Sequence, residues 1–380
     1  MNPAQTRLLD AIILPARTRL LCAIVVLLCA GLMTVWLADR PLWTPDSYHY
    51  AIRMLTYLGE SREQAAAQSS IFFEQLPVAH QYKHYADEFR KPISSEYWTL
   101  FSPRMLYPAF SAVLWPRFGF FALVCVSLIA YVVATVLVYL LLHEFTAPII
   151  AMIGALLFAL SPEITSLGRQ ADTDMLALTF WILALYCAIA FLRSNERGWC
   201  VGFGVAALAL SFTRPLVYAP FLATLIPLVS GILRKDRKYA LAALACVLVS
   251  IAVAVLLFVV AIIDHVPSST WLIKDMQHYA MPLGPAMSTS LWYQNEIALD
   301  IRTWLREWVW DITPVIAVGA MIVYRRYFAV PVLAGALLAG FATILADPLP
   351  TDLSRVVIAP MLPAILCGVA LAVSPPHRKI

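Results

Sequence analysis

Charged side chains that could do acid–base chemistry lie at the ends of long apolar runs in this sequence. The carboxylates are those of Asp46, Asp172 and Asp174, and the guanidinium groups are those of Arg104, Arg214 and Arg355. A carboxylate can take a proton from a hydroxyl group, and arginine can bind a phosphate through two parallel hydrogen bonds. The pattern predicts a polar mouth that binds an anionic headgroup and does acid–base chemistry beside it, while the tail of the ligand stays in lipid.

The composition is that of a polytopic membrane protein. Of 380 residues, 61% are hydrophobic and only 13% are charged, and the mean hydropathy is +0.78. A water-soluble domain cannot bury so much apolar surface. The net charge of +4 is explained by basic loops on one side of a membrane. The sequence has no dedicated basic tail, which argues against a nucleic-acid partner.

About ten apolar segments are candidates for transmembrane helices, because a spanning helix needs roughly 20 apolar residues. The segments are residues 20–38, 119–142, 147–161, 174–192, 199–213, 215–233, 239–263, 308–324, 328–346 and 355–373. We therefore predict an all-α integral membrane protein in which residues 1–380 form a single polytopic domain. Ionisable residues are nearly absent inside the segments, which argues against an ion pathway through the bundle.

Basic clusters determine the predicted orientation. They lie at the N-terminus and at residues 193–197, 234–238, 324–327 and 377–379. All five lie on the cytoplasmic side if the short segment 105–118 stays at the outer face instead of crossing, and the positive-inside rule favours this arrangement. The sequence thus predicts a multi-pass protein of the plasma (inner) membrane with cytoplasmic N- and C-termini.

Two large loops are predicted on the outer side, at residues 39–118 and 264–307. The first has helical periodicity, because Tyr50, Met54 and Leu58 share one face of a helix. We predict that this loop holds amphipathic helices that lie on the membrane surface.

Four stretches combine a charged residue with the end of an apolar run. An aspartate follows the first run in "TPDSYHYA", and an arginine precedes a tyrosine–proline pair in "SPRMLYPAFSAVLWPRFG". An acidic motif precedes a run in "GRQADTDMLALTFWILALY", and an arginine precedes a proline-containing last run in "LSRVVIAPMLPAILCGVAL". In order and sidedness these stretches resemble the GT-C superfamily of polytopic glycosyltransferases, of the protein mannosyltransferase and aminoarabinose transferase type.

The resemblance implies a glycosyltransferase that moves a sugar from a polyprenyl-phosphate donor to an acceptor on the non-cytoplasmic membrane face. Asp46 matches the first-loop aspartate of the superfamily, which is the general base. It would take the proton from the acceptor hydroxyl, and the anomeric configuration would invert. Arg355, Arg104 and Arg214, in that order, are the candidates to bind the donor phosphate. The acceptor stays open among protein, glycan and lipid.

Asp172 and Asp174 match the second acidic motif of the superfamily. The resemblance implies that they position the acceptor or hold a divalent cation, because oxygen ligands suit Mg²⁺ or Mn²⁺. Some branches of the superfamily need a metal ion and others do not, and the pattern D-x-D leaves the cation open.

The same residues also have simpler structural interpretations. Asp46 could cap a helix, since "TPDSYHY" is typical of a helix start, and Asp172 or Asp174 could cap the helix that follows them. The arginines could anchor the chain at the lipid headgroups. Two histidines and a glutamate have a helical spacing compatible with either zinc binding or a solvated helix: His80, His84 and Glu88.

Two other classes of protein are compatible with the composition. A transporter or lipid flippase would need charged or broken helices at the bilayer midplane, and usually an internal repeat, and the sequence shows neither clearly. A non-catalytic membrane assembly protein would bind a partner through its outer loops and would tolerate the loss of Asp46. The three hypotheses therefore separate on that residue.

Overall fold

The structure, a computed structural model, describes residues 3–76, 98–99, 101–265, 312–346 and 359–373. Within these ranges the chain folds into helices, and the β-type pairing is limited to one isolated bridge. The first seven helices are α1 (Pro3–Ala38), α2 (Pro45–Tyr57), α3 (Arg62–Glu74), α4 (Leu106–Phe118), α5 (Phe121–His143), α6 (Pro148–Leu160) and α7 (Pro162–Arg169). The others are α8 (Asp174–Ser194), α9 (Arg197–Thr213), α10 (Tyr218–Leu233), α11 (Arg237–Ile263), α12 (Ile312–Val323), α13 (Val330–Ala346) and α14 (Ala359–Val373).

Four helices are long and apolar enough to cross a membrane: α5, α8, α11 and the Ala16–Ala38 part of α1. The pair α6 and α7, bent by 61°, makes a fifth if it counts as one span. The other apolar helices in the described ranges have only 10–17 residues. The all-α membrane fold is confirmed and each of the ten predicted segments contains a helix, but helix length does not support ten crossings. Several of the apolar runs are shorter than the roughly 20 residues that a span needs.

The centre of the bundle is formed by α5 and α8. In the most apolar stretch of α8, 83% of the residues are buried, against 22% in the corresponding stretches of α1 and α11. The helix α8 packs against α5, α9, α10 and α11. Because α8 begins at Asp174, the acidic motif before it lies at the end of the most buried helix.

The helix α2 begins where its sequence predicts, and its boundaries follow from local residues. Thr44 is the N-cap and forms a capping box with Ser47, while Pro45 is the first helical residue, where a backbone N–H is not needed. The chain then turns at Gly59, whose φ of +96° suits a residue without a side chain. Ser61 is the N-cap residue of α3 and forms a second capping box.

The surroundings of α2 differ from those predicted for an amphipathic helix on the membrane surface. All its residues from Ser47 to Leu55 except His49 are buried, because α3, α4 and α5 pack around it. Polar groups on α2 can be buried since they find partners inside the protein. The hydroxyl of Tyr48 lies 3.0 Å from that of Ser70. The helix is therefore a packed element that can hold side chains in place.

The helices α10 and α13 approach closely at Gly335. A Cβ atom on this residue would lie 2.5 Å from the carbonyl oxygen of Leu222 and 2.7 Å from the Cα atom of Ala223. Small residues allow helix backbones to approach in this way within membranes.

We expect Gly335→Ala to lower the free energy of unfolding by about 1–3 kcal/mol, because the new methyl group must push two backbones apart. Gly319→Ala is the matched control in α12, since a Cβ atom there would meet nothing within 4 Å. Thermal unfolding of both variants in detergent tests this. Equal melting temperatures for the two would contradict the close approach.

Candidate active site

The carboxylate of Asp46 is in the first turn of α2, but it does not cap the helix. The N-cap role belongs to Thr44, whose hydroxyl accepts a hydrogen bond from the backbone N–H of Ser47. The alternative that Asp46 serves as a helix cap is therefore wrong. Its side chain is 29% exposed, so the carboxylate is accessible while its backbone is held inside a helix.

Two backbone hydrogen bonds join the segment just before α2 to the segment just before α8. The N–H of Leu42 donates to the carbonyl of Arg169 at 2.9 Å, and the N–H of Ala171 donates to the carbonyl of Leu42 at 2.9 Å. The hydroxyl of Ser47 adds a third bond, to the carbonyl of Ala171 at 2.7 Å. The start of α2 is thus attached to the residues just before Asp172.

Arg104 lies beside Asp46 and contacts two groups on α2. Its Nη1 atom is 3.6 Å from Oδ2 of Asp46, and it donates a hydrogen bond to the hydroxyl of Tyr50 at 2.9 Å. The guanidinium group also lies over the ring of Phe101, with 4.8 Å between Cζ and the ring centroid. Residues 46 and 50 can both face Arg104 because positions i and i+4 lie on one side of a helix.

The hydroxyl of Tyr50 continues the network to the second acidic motif. It lies 3.3 Å from Oγ1 of Thr173, and this hydroxyl donates to Oδ1 of Asp172 at 3.1 Å. The same carboxylate accepts bonds from the backbone N–H of Thr173 at 2.5 Å and from the amide of Gln170 at 3.3 Å. Asp172 is only 1% exposed, so these bonds hold a buried carboxylate in one orientation.

Asp174 has a different partner, because it forms an ion pair with Arg214. Asp174 is the first residue of α8, and Arg214 is the C-cap residue of α9. Both residues are buried. The N-cap of α8 is Thr173, which makes no side-chain capping bond. The pair therefore ties the ends of two neighbouring helices together.

Withdrawal from water favours the neutral forms of His49 and Tyr50. His49 as a whole is half-buried, but desolvation of its imidazole, followed by the nearby cations of Arg104, Arg53 and Arg62, lowers its pKa to about 3. Burial also raises the pKa of the Tyr50 hydroxyl well above its ordinary value. At neutral pH, His49 is an uncharged ring stacked on Phe101 at 4.8 Å, and Tyr50 keeps its proton for hydrogen bonding.

Among the residues predicted from the sequence, Asp46, Arg104 and Asp172 come together in one network. Asp174 and Arg214 pair with each other. Arg355 lies outside the described residues. The same is true of His80, His84 and Glu88, whose spacing is compatible with either zinc binding or a solvated helix, and of the second outer loop from residue 266 onward.

Two residues of this network were not predicted as site residues, Tyr50 and Thr173. A signal was present for each. Tyr50 follows Asp46 by four residues, which places both on one helix face, and Thr173 is the middle residue of "DTD". Neither signal says that the two hydroxyl groups meet.

A shared cation on Asp172 and Asp174 does not fit the contacts of the two carboxylates. Asp172 accepts hydrogen bonds from Thr173 and Gln170, whereas Asp174 contacts the guanidinium group of Arg214. In the part of the chain that the structure describes, no group of three acidic, histidine or cysteine side chains is placed to hold a metal ion. Each of the two carboxylates thus already has its own partners within the protein.

These features define a multi-pass membrane protein with a polar site at the ends of its helices. The profile of the dolichyl-phosphate-mannose-protein mannosyltransferase family matches residues 109–258. The match confirms the resemblance to GT-C glycosyltransferases and supports a transferase. It spans less than half of the chain, and it includes Asp172, Asp174 and Arg214 but not Asp46 or Arg104. A search of curated proteins gave no match.

Proposed function

We propose that the chain is an inverting glycosyltransferase that moves a sugar from a polyprenyl-phosphate donor to an acceptor hydroxyl. The matched family is named for a dolichyl-phosphate-linked mannose donor, which supports a lipid-phosphate leaving group. The observation that carries the proposal is the network from Asp46 through Arg104, Tyr50 and Thr173 to Asp172. It joins an accessible carboxylate to a cation and to the motif that lies within the matched region.

Asp46 acts in this proposal as the general base. Its carboxylate takes the proton as the O–H bond of the acceptor breaks and the oxygen forms a bond to C1 of the sugar. The bond from C1 to the phosphate oxygen breaks with its electron pair, and polyprenyl phosphate leaves from the opposite face. No general acid is needed for the leaving group, because a phosphate is stable as the anion.

Arg104 is the best candidate among the described arginines to neutralise the charge that develops on the leaving phosphate. Its Nη1 atom bonds to Tyr50, but its fork of donors can reach a second anion on its other edge. Arg355 stays a candidate from the sequence. Arg214 is a weaker one than the sequence suggests, because its charge is already matched by Asp174.

Asp172 has a positioning role in this proposal and takes no part in the reaction itself. Its carboxylate is buried and held by neighbouring donors, so a substrate that stays at the surface does not reach it. We propose that it orients Thr173, and through it Tyr50. No step of the proposed reaction is routed through a divalent cation.

The site lies at the non-cytoplasmic face of the cell membrane in this proposal. The five basic clusters would then be cytoplasmic, together with both termini. Helices α2, α3 and α4 would form part of the outer face beside the lipid, where a polyprenyl chain can stay in the bilayer while its phosphate reaches Arg104.

Label transfer tests the proposal. Membranes with and without the protein would be given a panel of radiolabelled polyprenyl-phosphate sugars, and label would be followed into protein, glycan and lipid fractions. We expect at least one donor to give protein-dependent transfer, with an anomeric configuration opposite to that of the donor.

Movement of intact labelled donor between leaflets, without transfer of sugar, would instead support a lipid flippase. No transfer and no movement from any donor would leave a non-catalytic assembly protein as the better hypothesis. Retention of the anomeric configuration would contradict the single displacement.

A further inference from the structure

Tyr50 is a fully buried tyrosine at the centre of the proposed site. Its exposed fraction is 0%, and its ring meets Phe101 and Tyr107 edge to face, each with a centroid distance of 5.3 Å. These contacts leave the ring little freedom to move. The position of its ring is therefore determined by packing, and the groups that bond to its hydroxyl decide in which direction the O–H bond points.

The distances around Arg104 show which partner it bonds to. Its Nη1 atom is 2.9 Å from the hydroxyl of Tyr50, which is a hydrogen bond, and 3.6 Å from Oδ2 of Asp46, which is too long for one. A direct arginine–carboxylate bond has a length of about 2.7–2.9 Å. The arginine thus forms an ion pair with the carboxylate but donates no hydrogen bond to it at this distance.

We propose that Tyr50 is a positioning residue that holds Arg104 back from Asp46 and so keeps the carboxylate available as a base. This inference rests on the proposed role of Asp46. A carboxylate that accepts two bonds from an arginine is stabilised as the anion and takes a proton less readily. At the observed distance, the arginine still orients the carboxylate through its charge.

The other charged groups near this pair do not replace Tyr50. On the side of the second motif, the hydroxyl of Tyr50 reaches Thr173 and its hydrogen-bonded Asp172. The cations of Arg53 and Arg62 lie near His49. From α3, Glu74 lies near Tyr48. Arg53 donates to the carbonyl of Trp98 at 2.7 Å. The hydrogen bond that Arg104 donates to Tyr50 is the contact that fixes its distance from the carboxylate.

The test is the pH dependence of kcat for label transfer by Tyr50→Phe. Without the hydroxyl, we expect the arginine to move onto the carboxylate of Asp46. The acidic limb of the profile should then shift to lower pH by about one unit, and kcat at neutral pH should fall about tenfold. The shift to lower pH follows because an anion with a closer cation protonates only in more acidic solution.

Tyr131→Phe is the matched control. Tyr131 is also fully buried, and its hydroxyl donates to the carbonyl of Ala159 at 2.9 Å, which is not part of the network from Asp46 to Asp172. A merely structural loss of one buried hydrogen bond would affect both variants alike, whereas the pH shift is expected in Tyr50→Phe alone. If the two profiles coincide with that of wild type, the proposal is wrong.

A second background separates the positioning role from a direct one. In Arg104→Gln, adding Tyr50→Phe should cause no further shift of the acidic limb, because the cation that Tyr50 restrains is gone. A persisting shift would overturn the proposal. If Tyr50→Phe does not accumulate, Thr173→Val removes the other hydroxyl partner, and an unchanged profile there would also contradict it. A wild-type enzyme that transfers nothing would instead contradict the proposed function itself.

Discussion

Replacing Asp46 by asparagine is expected to lower kcat for label transfer by about 10²–10⁴-fold, the usual contribution of a general base. Asparagine has nearly the shape of aspartate, so Thr44 and Ser47 still cap α2 and Tyr50 still receives its bond from Arg104. The amide cannot accept the proton of the acceptor. The measurement is the transfer rate per amount of folded protein, at saturating donor.

Asp39→Asn is the control for this prediction. Asp39 follows the last turn of α1, only seven residues before Asp46, and it is exposed. The same chemical change there should leave the rate within about twofold of wild type, since surface changes of this kind are nearly neutral. Equal rates for Asp46→Asn and Asp39→Asn would show that the base is another group and would contradict the proposed mechanism.

The pH profile of the residual activity of Asp46→Asn provides a second prediction. If the wild-type rate falls in acid because Asp46 becomes protonated, that acidic limb should disappear from the profile of the variant. A limb that persists at the same pH would belong to a different group. Loss of rate together with loss of the limb would assign the titration to Asp46.

The local features of the site could be predicted from the sequence because they depend on neighbours in the chain. Thr44 and Pro45 predict the start of α2, and charges at the ends of apolar runs predict a site at the membrane surface. Each of these depends on residues within about one helix turn or one span. They place Asp46 at a helix start, and they place Asp172 and Asp174 before a buried helix.

The relations between distant segments could not be predicted in the same way. Tyr50 and Thr173 are 123 residues apart, and nothing in the pattern around either one specifies the other. Burial of α2 among three helices is likewise a tertiary effect, because the same periodicity would suit a helix on the membrane surface.

Arg214 illustrates this limit most clearly. An arginine at the end of an apolar run has the same sequence signal whether it binds a donor phosphate, anchors to lipid headgroups or pairs with a buried aspartate. The structure shows the third arrangement. The choice depends on Asp174, which lies on another helix and forty positions earlier in the chain.

We expect Arg214→Met to lower the free energy of unfolding by about 3–5 kcal/mol, because it leaves the carboxylate of Asp174 buried without its cation. Methionine keeps much of the length of the arginine stem, so lost packing adds little. Thermal unfolding in detergent measures the effect. Arg193→Met is the matched control, since Arg193 pairs with Glu144 but is 52% exposed, and an exposed pair contributes at most about 1 kcal/mol.

The double variant Asp174→Asn with Arg214→Gln decides what the pair is for. Removing both charges together avoids an uncompensated buried ion, so most of the lost stability should return. If the pair only joins α8 to α9, the stable double variant should transfer label at nearly the wild-type rate. If Arg214 binds the donor phosphate, the double variant should fold but need a much higher donor concentration. A raised KM for the donor with an unchanged melting temperature would therefore support Arg214 as a donor-binding residue.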